Sequence, residues 1–314
     1  MTQKLTIGLS ACLAGEKVRF DGGHRRDDKV LNELGKCFKF KTFCPELAIG
    51  MGVPRQTIRL VKAGEDIKAV GVKDASLDVT EALKNNALQQ LPWIETLAGY
   101  IVKKGSPSCG MERVKIYSDG HADPVGRGLY TEVITNALPL LPVEEEGRLR
   151  NPQLLDSFIQ RVFAYDSWRK VVDDGLTVHA LIEFHTKYKM ILLSRNQQQY
   201  RQLGRMVANA ESKSLKKLSV KYIGLFMKVL KQPASRGGHV NVLQHLQGFL
   251  KHHLTADEKR NLIFVIEKYA NGELPLIAPK LLLNTYFSKF TYRFVDDSLY
   301  LKPYPLELGV YTKL

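Results

Sequence analysis

Leu5-Thr6-Ile7-Gly8-Leu9, followed by Ser10-Ala11-Cys12-Leu13-Ala14-Gly15, is an apolar run that breaks at once into small residues around a cysteine. The arrangement recurs twice. Phe38-Lys39-Phe40-Lys41-Thr42-Phe43 runs into Cys44-Pro45-Glu46, and Ala98-Gly99-Tyr100-Ile101-Val102 runs into Lys103-Lys104-Gly105-Ser106-Pro107-Ser108-Cys109-Gly110. Short runs of this kind, bounded by Gly and Pro and separated by helix-like stretches, predict parallel strands joined by crossovers. Asp27-Asp28 ahead of the segment Lys29 to Gly35 reads as an N-capped helix, so residues 5 to 43 predict a βαβ unit. Loops at the carboxyl ends of parallel strands gather along one edge, which is where open α/β sheets bind ligands. Three thiols brought to that edge from distant positions point to a metal cluster.

For any one cysteine the ordinary reading is burial, because a free Cys packs as a small hydrophobe. That reading weakens when three fall in equivalent loops rich in Gly, Pro and Ser. Cys37, beside Phe38 at the end of a helix pattern, keeps it. No Cys-x-x-Cys pair occurs, which sets aside zinc ribbons.

A chain of 314 residues exceeds what one core usually organises and predicts two domains. The break is placed near residue 150, where Leu141-Pro142-Val143-Glu144-Glu145-Glu146-Gly147-Arg148 joins a Pro, an acidic run and a Gly. Residues 1–150 carry 22 Lys and Arg against 19 Asp and Glu, a net of +3; residues 151–314 carry 24 against 13, a net of +11. The second half is predicted to be an all-α basic bundle, with apolar residues at three- and four-residue steps over 154–168, 178–193, 199–210, 220–230, 240–253, 257–269 and 279–290. All four cysteines lie in the first half, there is no signal peptide, and no run of eighteen apolar residues appears. These features predict a soluble protein of a reducing cytoplasm, without disulfides and without a membrane partner.

The positive charge is clustered. Lys213, Lys216, Lys217 and Lys221 form one group, and Lys187, Lys189, Arg195, Arg201 and Arg205 another, interleaved with Tyr188 and Tyr200. Two readings stand for such clusters: solvated helix faces, or a surface that neutralises phosphates while aromatics stack on bases. The asymmetry between halves favours RNA or DNA. Around the cysteines the loops carry Arg19, Asp21, His24 and Arg25, then Glu46, then Arg55 and Arg59, then Lys104, Ser106, Ser108 and Arg113. Loop residues set on a rigid scaffold are a common way to build a site. His179 and His185 are six residues apart, as are His239 and His245, a spacing that suits packing or RNA contact over metal binding. Gly22-Gly23 and Gly126-Arg127-Gly128 lack the lysine of a phosphate loop, and no nicotinamide or flavin cofactor is expected.

Ser10-Ala11-Cys12-Leu13-Ala14-Gly15, Asp21-Gly22-Gly23-His24, Cys44-Pro45-Glu46, Gly52-Val53-Pro54-Arg55 and Ser106-Pro107-Ser108-Cys109-Gly110 together resemble the TudS-type thiouracil desulfidases. Phe184-His185, Lys187-Tyr188-Lys189, Tyr200-Arg201-Gln202-Leu203-Gly204, Asn241-Val242-Leu243-Gln244-His245 and Pro275-Leu276-Ile277-Ala278-Pro279 resemble the YbgA-type domain, and the tandem is similar to RudS-type tRNA 4-thiouridine desulfidases. The resemblance implies an α/β Rossmann-like first domain, a 4Fe-4S cluster on the thiolates of Cys12, Cys44 and Cys109, and a second domain that engages tRNA. Three thiolates on four irons leave one iron open as a Lewis acid, and a soft iron prefers a thiocarbonyl sulfur to a carbonyl oxygen. Glu46 would then deprotonate the attacking water, with Ser106 or Ser108 donating to a ring nitrogen or shuttling the proton. Each has a plainer reading: Glu46 as a helix-starting residue after Pro45, the serines as turn residues around Pro107, and Arg19, Arg55 and Arg113 as phosphate or structural contacts. Asp21, His24, Arg25 and Lys104 are grouped with them as RNA-binding candidates. Two other functions share the same residues: a desulfidase of free bases, and an iron-sulfur RNA sensor without catalysis.

Overall fold

The first strand, β1 (Leu5–Ser10), is followed by β2 (Phe38–Phe43), the single-turn helix α1 (Pro45–Ala48), β3 (Ile58–Ala63), β4 (Asp66–Gly71), α2 (Thr80–Ile94), β5 (Gly99–Val102), β6 (Val114–Ser118), β7 (His121–Gly126), α3 (Leu129–Ala137) and β8 (Val143–Glu145). These coordinates are a computed structural model describing residues 4–290, 295 and 297–304. The chain divides into two compact units, Met1–Arg150 and Asn151–Leu314.

In the first unit, one four-stranded sheet has the order β2-β1-β5-β8 with every neighbouring pair parallel. Register brings the functional ends together: Leu5 lies opposite Phe38 and Ser10 opposite Phe43, while Leu9 lies opposite Ile101. The segments that carry the cysteines therefore leave the same edge of the sheet. Ile7, Leu9, Tyr100 and Ile101 are buried, as a central strand covered on both faces requires. Gly8 is fixed by packing, since a Cβ there would stand 2.6 Å from the Tyr100 ring.

Two local expectations are corrected. The crossover between β1 and β2 contains no regular α-helix. Val30–Leu34 is a single π-type turn, which Asp27 opens by accepting a hydrogen bond from the Val30 N–H at 3.1 Å. The acidic segment ahead of residue 150 is no solvated linker: Val143–Glu145 is the fourth parallel strand, and Glu144, Glu145 and Glu146 are buried. Their charges are matched by Arg148 and Lys103 and by the Met111 and Lys104 backbone N–H groups. Burial raises the Glu145 carboxyl, with the N–H groups of Met111 and Glu112 acting against it.

A second sheet, of order β4-β3-β6-β7, is mixed: β3 and β6 are parallel, and both outer pairs are antiparallel. Its buried face, with Ile58, Leu60, Ala69 and Val114, packs against Val79, Leu83 and Leu129 from α2 and α3 and the chain leading into them.

The second unit is built, among the described residues, from α4 (Pro152–Asp173), α5 (Val178–Arg195), α6 (Gln197–Ala208), α7 (Leu215–Lys231), α8 (Arg236–Phe249), α9 (Ala256–Ala270) and α10 (Ile277–Phe287). Its helix starts are encoded locally. Asn151, Thr177, Asn196 and Ser235 each accept an N-terminal backbone hydrogen bond, and Thr255 with Glu258 forms a capping box. The core is aromatic, with Phe184 against Trp168, Tyr188, Tyr222 and Phe226 at centroid distances of 4.8–6.4 Å. No described helix is long and apolar enough to cross a membrane.

Candidate metal centre and active site

Each cysteine is placed by a different local device. Cys12 sits in the 3-10 turn Ala11–Ala14 after β1, where its carbonyl accepts from the Arg25 N–H at 2.9 Å. Cys44 caps α1, whose last N–H, from Ala48, returns to the Cys44 carbonyl at 3.0 Å. Cys109 lies in a loop held by the start of α3: the Leu129 and Tyr130 N–H groups donate to Pro107 and Ser108, and the Thr131 hydroxyl donates to the Cys109 carbonyl at 2.7 Å. Gly128 makes that approach possible, because a Cβ would come within 2.5 Å of the Ser108 backbone.

The three cysteines line one pocket of about 220 Å³, together with Ser10, Arg19, Phe20, Phe43, Glu46, Arg55, Lys103, Lys104 and Ser106. Their thiols feel one another. Burial pushes Cys12 up to about 11, and the neighbouring Cys44 adds to this while Lys103 and Arg19 oppose it. Cys44 is raised chiefly by burial, and Cys109 stands well above the ordinary thiol value through burial, then Glu46, Cys44 and Cys12. No group of three His, Cys, Asp or Glu residues among those described is gathered tightly enough for a single metal ion. As a donor set, the pocket offers three soft sulfurs, each from its own loop, with four cations, Arg19, Arg55, Lys103 and Lys104, on its wall.

Beside the thiols, Glu46 is held at both carboxylate oxygens. The Ser108 hydroxyl donates to Oε1 at 2.7 Å, and Arg55 donates to Oε2 through Nε at 3.0 Å and Nη2 at 2.8 Å. Arg55 also donates to the Gly52 carbonyl at 2.8 Å and the Val18 carbonyl at 2.9 Å. Its side chain is only 5 % exposed, against 17 % for Glu46. Arg55 is thus occupied with Glu46 and two loop carbonyls, and of the two roles offered for it, phosphate or structural contact, its placement is that of a positioning residue. The two serines separate as well. Ser108 is fully buried and gives its proton to Glu46, whereas the Ser106 oxygen, on the pocket wall, accepts the Ser108 and Cys109 N–H groups at 3.3 and 3.1 Å. Glu46 does begin a helix after Pro45, so its plainer reading and its place in the pocket hold together.

Of the remaining loop residues, Arg19 and Lys104 reach the pocket wall, while Asp21, His24, Arg25 and Arg113 are not among the residues that line it. Asp21 accepts from the Gly23 N–H at 3.0 Å, which holds its carboxyl below the usual range, and His24 accepts from the Arg26 N–H at 3.2 Å. Arg113 is exposed, in a left-handed conformation with φ of 55°. Sequence reasoning passed over Ser10, Phe20, Phe43 and Lys103. Ser10 and Lys103 open two of the quoted stretches without being given a role there, and the signal that could have found them was position at the end of a strand.

In the second unit, Lys187, Arg201, Lys213, Lys216 and Lys217 are exposed, and none forms an ion pair with a described residue. Lys189 is half-buried, and desolvation lowers its ammonium. Two members of the expected aromatic-basic surface are elsewhere: Tyr188 is buried against Phe184 and Phe226, and the Arg195 side chain, 1 % exposed, donates to the Leu230 carbonyl. His185 and His239 pack, sharing hydrogen bonds with the Tyr222 and Tyr300 hydroxyls at 3.1 and 2.9 Å.

Comparison with known proteins follows this division. Residues 7–146 match the 2-thiouracil desulfurase family, and residues 189–305 match DUF1722, a family described as of unknown function. The chain belongs to these families: a desulfidase-family α/β domain in its first half, joined to a YbgA-like DUF1722 domain in its second. The uncharacterized protein YbgA of Escherichia coli (strain K12) is 31% identical over 151 residues, covering 48% of this chain and 89% of YbgA. The uncharacterized protein YbbK of Bacillus subtilis (strain 168) is 33% identical over 110 residues, covering 33% of this chain and 72% of YbbK. A solved structure of the [4Fe-4S]-dependent thiouracil desulfidase TudS is similar at 29% identity over 47% of this chain and 94% of its own, with a TM-score of 0.37.

Proposed function

We propose that this chain removes sulfur from 4-thiouridine in tRNA, in the cytoplasm, giving uridine and sulfide. The observation that carries the reading is the pocket itself: three thiols from three strand-end loops beside a carboxylate fixed at both oxygens. A 4Fe-4S cluster fits this donor set. Cys12, Cys44 and Cys109, which line the same pocket, would hold it through their thiolates. Lys103, Arg19 and Arg55 stand where the added negative charge of three thiolates would need balance. When bound, the cluster supplies an iron without a protein ligand, a soft Lewis acid for sulfur.

The protein's own groups do the rest. Glu46 Oε1, which already accepts from the Ser108 hydroxyl, keeps a second lone pair and takes the proton as water oxygen bonds to the ring carbon. Ser106, whose oxygen is anchored by two backbone N–H groups, turns its own O–H towards the pocket and relays a proton to the departing sulfur. Water oxygen replaces sulfur, the sulfur leaves as sulfide, and no net electrons are exchanged. The exposed, unpaired cations of the second unit engage the RNA phosphates. A buried thiolated base would be unstacked, at a cost of a few kcal/mol that this surface offsets.

The test is anaerobic reconstitution with iron and sulfide, followed by mass spectrometry of nucleosides from thiolated tRNA. Conversion of 4-thiouridine to uridine is expected. Unchanged 4-thiouridine beside a fully loaded cluster overturns the reading, and equal turnover of free thiouracil and thiolated tRNA assigns the free base as substrate instead.

A further inference from the structure

Of the two basic residues of the pocket wall whose side chains make no hydrogen bond to a described residue, Arg19 and Lys104, only Arg19 is largely buried. Arg55 is tied to Glu46 and Lys103 to Glu146. The Lys104 backbone is held by Glu146, and its ammonium lies on an exposed residue at the mouth. The Arg19 side chain, by contrast, is 19 % exposed and makes no hydrogen bond to any described residue. Its Nε is buried without a partner, and the nearest acidic oxygen, Asp21 Oδ1, stands 3.6 Å away, outside hydrogen-bond reach. A buried donor without an acceptor costs about 1–3 kcal/mol, and because Nε itself is sealed from solvent, it is the rest of the guanidinium, on a residue that lines the pocket, that can meet a ligand atom.

The geometry around it is fixed. The Arg19 N–H donates to the Gly23 carbonyl at 3.2 Å, the Gly22 N–H returns to the Arg19 carbonyl at 3.0 Å, and Gly22 supplies the φ of 73° that closes the turn. The Arg55 N–H donates to the Phe20 carbonyl at 2.9 Å, tying this turn to the residue that orients Glu46. The guanidinium lies 5.1 Å from the centroid of Phe20, whose ring is 37 % exposed and lines the same pocket. A flat cation and a flat ring, adjacent on one wall, present edge donors and a stacking face together.

We propose that Arg19 is the specificity-determining residue that reads the second carbonyl of the pyrimidine ring. The inference rests on the desulfidase reading above. With the ring sulfur directed at the three thiols, the acceptor left on a 4-thiolated pyrimidine is the C2 oxygen, and Arg19 is the wall's largely buried idle donor. A site that hydrogen-bonds a substrate group discriminates strongly against analogues lacking it, because its own donor is then left unpaired.

The experiment is a binding cycle on the reconstituted full-length protein, independent of turnover. Affinities for uracil and for pyrimidin-4-one, which lacks the C2 oxygen and with it the N1 proton, are measured by equilibrium dialysis for the unsubstituted protein, Arg19→Met and Arg19→Lys. The unsubstituted protein should prefer uracil by about ten- to a hundredfold, the size of a charge-assisted hydrogen bond. Arg19→Met should level the two ligands, and Arg19→Lys should keep part of the preference. Equal binding of the two by the unsubstituted protein, or a preference that survives in both variants, overturns the assignment. A preference seen only with ligands carrying a phosphate also overturns it and makes Arg19 a backbone contact. Absence of sulfide release from 4-thiouracil and thiolated tRNA, with the uracil preference present, would sink the desulfidase reading and leave Arg19 as a pyrimidine reader.

Discussion

Charge is used in opposite ways in the two halves. In the first unit several cations are committed to buried or partly buried carboxylates, Arg55 to Glu46, Lys103 to Glu146 and Arg148 to Glu144, and Arg19 is left over at the pocket. In the second, Arg201 and Arg205 on α6 and Lys217, Lys221 and Lys228 on α7 are exposed without acidic partners among the described residues. Buried, hydrogen-bonded charge fixes one geometry, and a mutation that removes one partner strands the other. Exposed cations on helices are individually weak and act by number, through salt-sensitive attraction. The contrast separates a half built for positioning from a half built for adhesion, and it can be broken in measurable steps.

The largest effect is expected at the centre of the paired half. Glu46→Gln should lower the rate of desulfuration by about 10² to 10⁴-fold, while iron content and visible absorption stay unchanged. Retained turnover would remove Glu46 from the chemistry. Arg55→Lys keeps the charge but loses the fork, and kcat should fall by about 10- to 100-fold with KM little moved. The decisive readout is the double variant: in a Glu46→Gln background the Arg55 change should cost nothing more, and additive losses would show that Arg55 acts elsewhere. Reversing Lys213, Lys216, Lys217 and Lys221 to Glu should weaken tRNA binding and lower the salt slope by about 0.7–0.9 for each lysine that met a phosphate. Turnover of free thiouracil should not change. If both substrates suffer equally, the two halves do not divide the labour.

The smallest effect concerns stability. Burial pushes His185 down to about 4, with the Lys189 charge adding to the shift. Between pH 4 and the ordinary histidine range the unfolded chain therefore binds the extra proton, so this group's contribution is present above about pH 6.5 and lost as pH falls through 4. The difference is on the order of 3 kcal/mol. Thermal melts between pH 4 and 7 should show the second unit weakening in acid, and His185→Gln should flatten that dependence. A slope untouched by the substitution would place the acid sensitivity elsewhere.

The sequence was most readable where local chemistry and tertiary burial agree. Leu5–Ser10, Phe38–Phe43 and Gly99–Val102 are apolar runs that end in Ser, Pro and Gly, and they became the three strands that deliver the cysteines. The helices of the second unit follow their apolar periodicity and their Asn, Thr and Ser starts. The second sheet was missed because its strands are half-exposed and interleave charged with apolar residues. His121–Gly126 contains Pro124 and lies at the sheet edge, where Pro is tolerated. Glu144-Glu145-Glu146 reads as a solvated run in one dimension, and only tertiary structure reveals the Arg148, Lys103 and backbone donors that allow its burial. The pocket's membership was half legible: motifs named the cysteines, Glu46 and the serines, but the Arg55 fork, the buried state of Ser108 and the idle donors of Arg19 are facts of distance.

The joins that make the pocket span the whole first unit: Ser108 reaches Glu46 across 62 positions, and the Lys103 N–H reaches the Ser10 hydroxyl across 93. Contacts of such sequence separation close late, after the loop entropy between them has been overcome. During synthesis, therefore, Cys12 and Cys44 emerge long before the loop that completes their site, and any metal centre loads onto a nearly finished domain. A truncation before Cys109 would carry two of the three thiols yet no partial site, which makes cofactor loading a checkpoint on the folding of the entire first half.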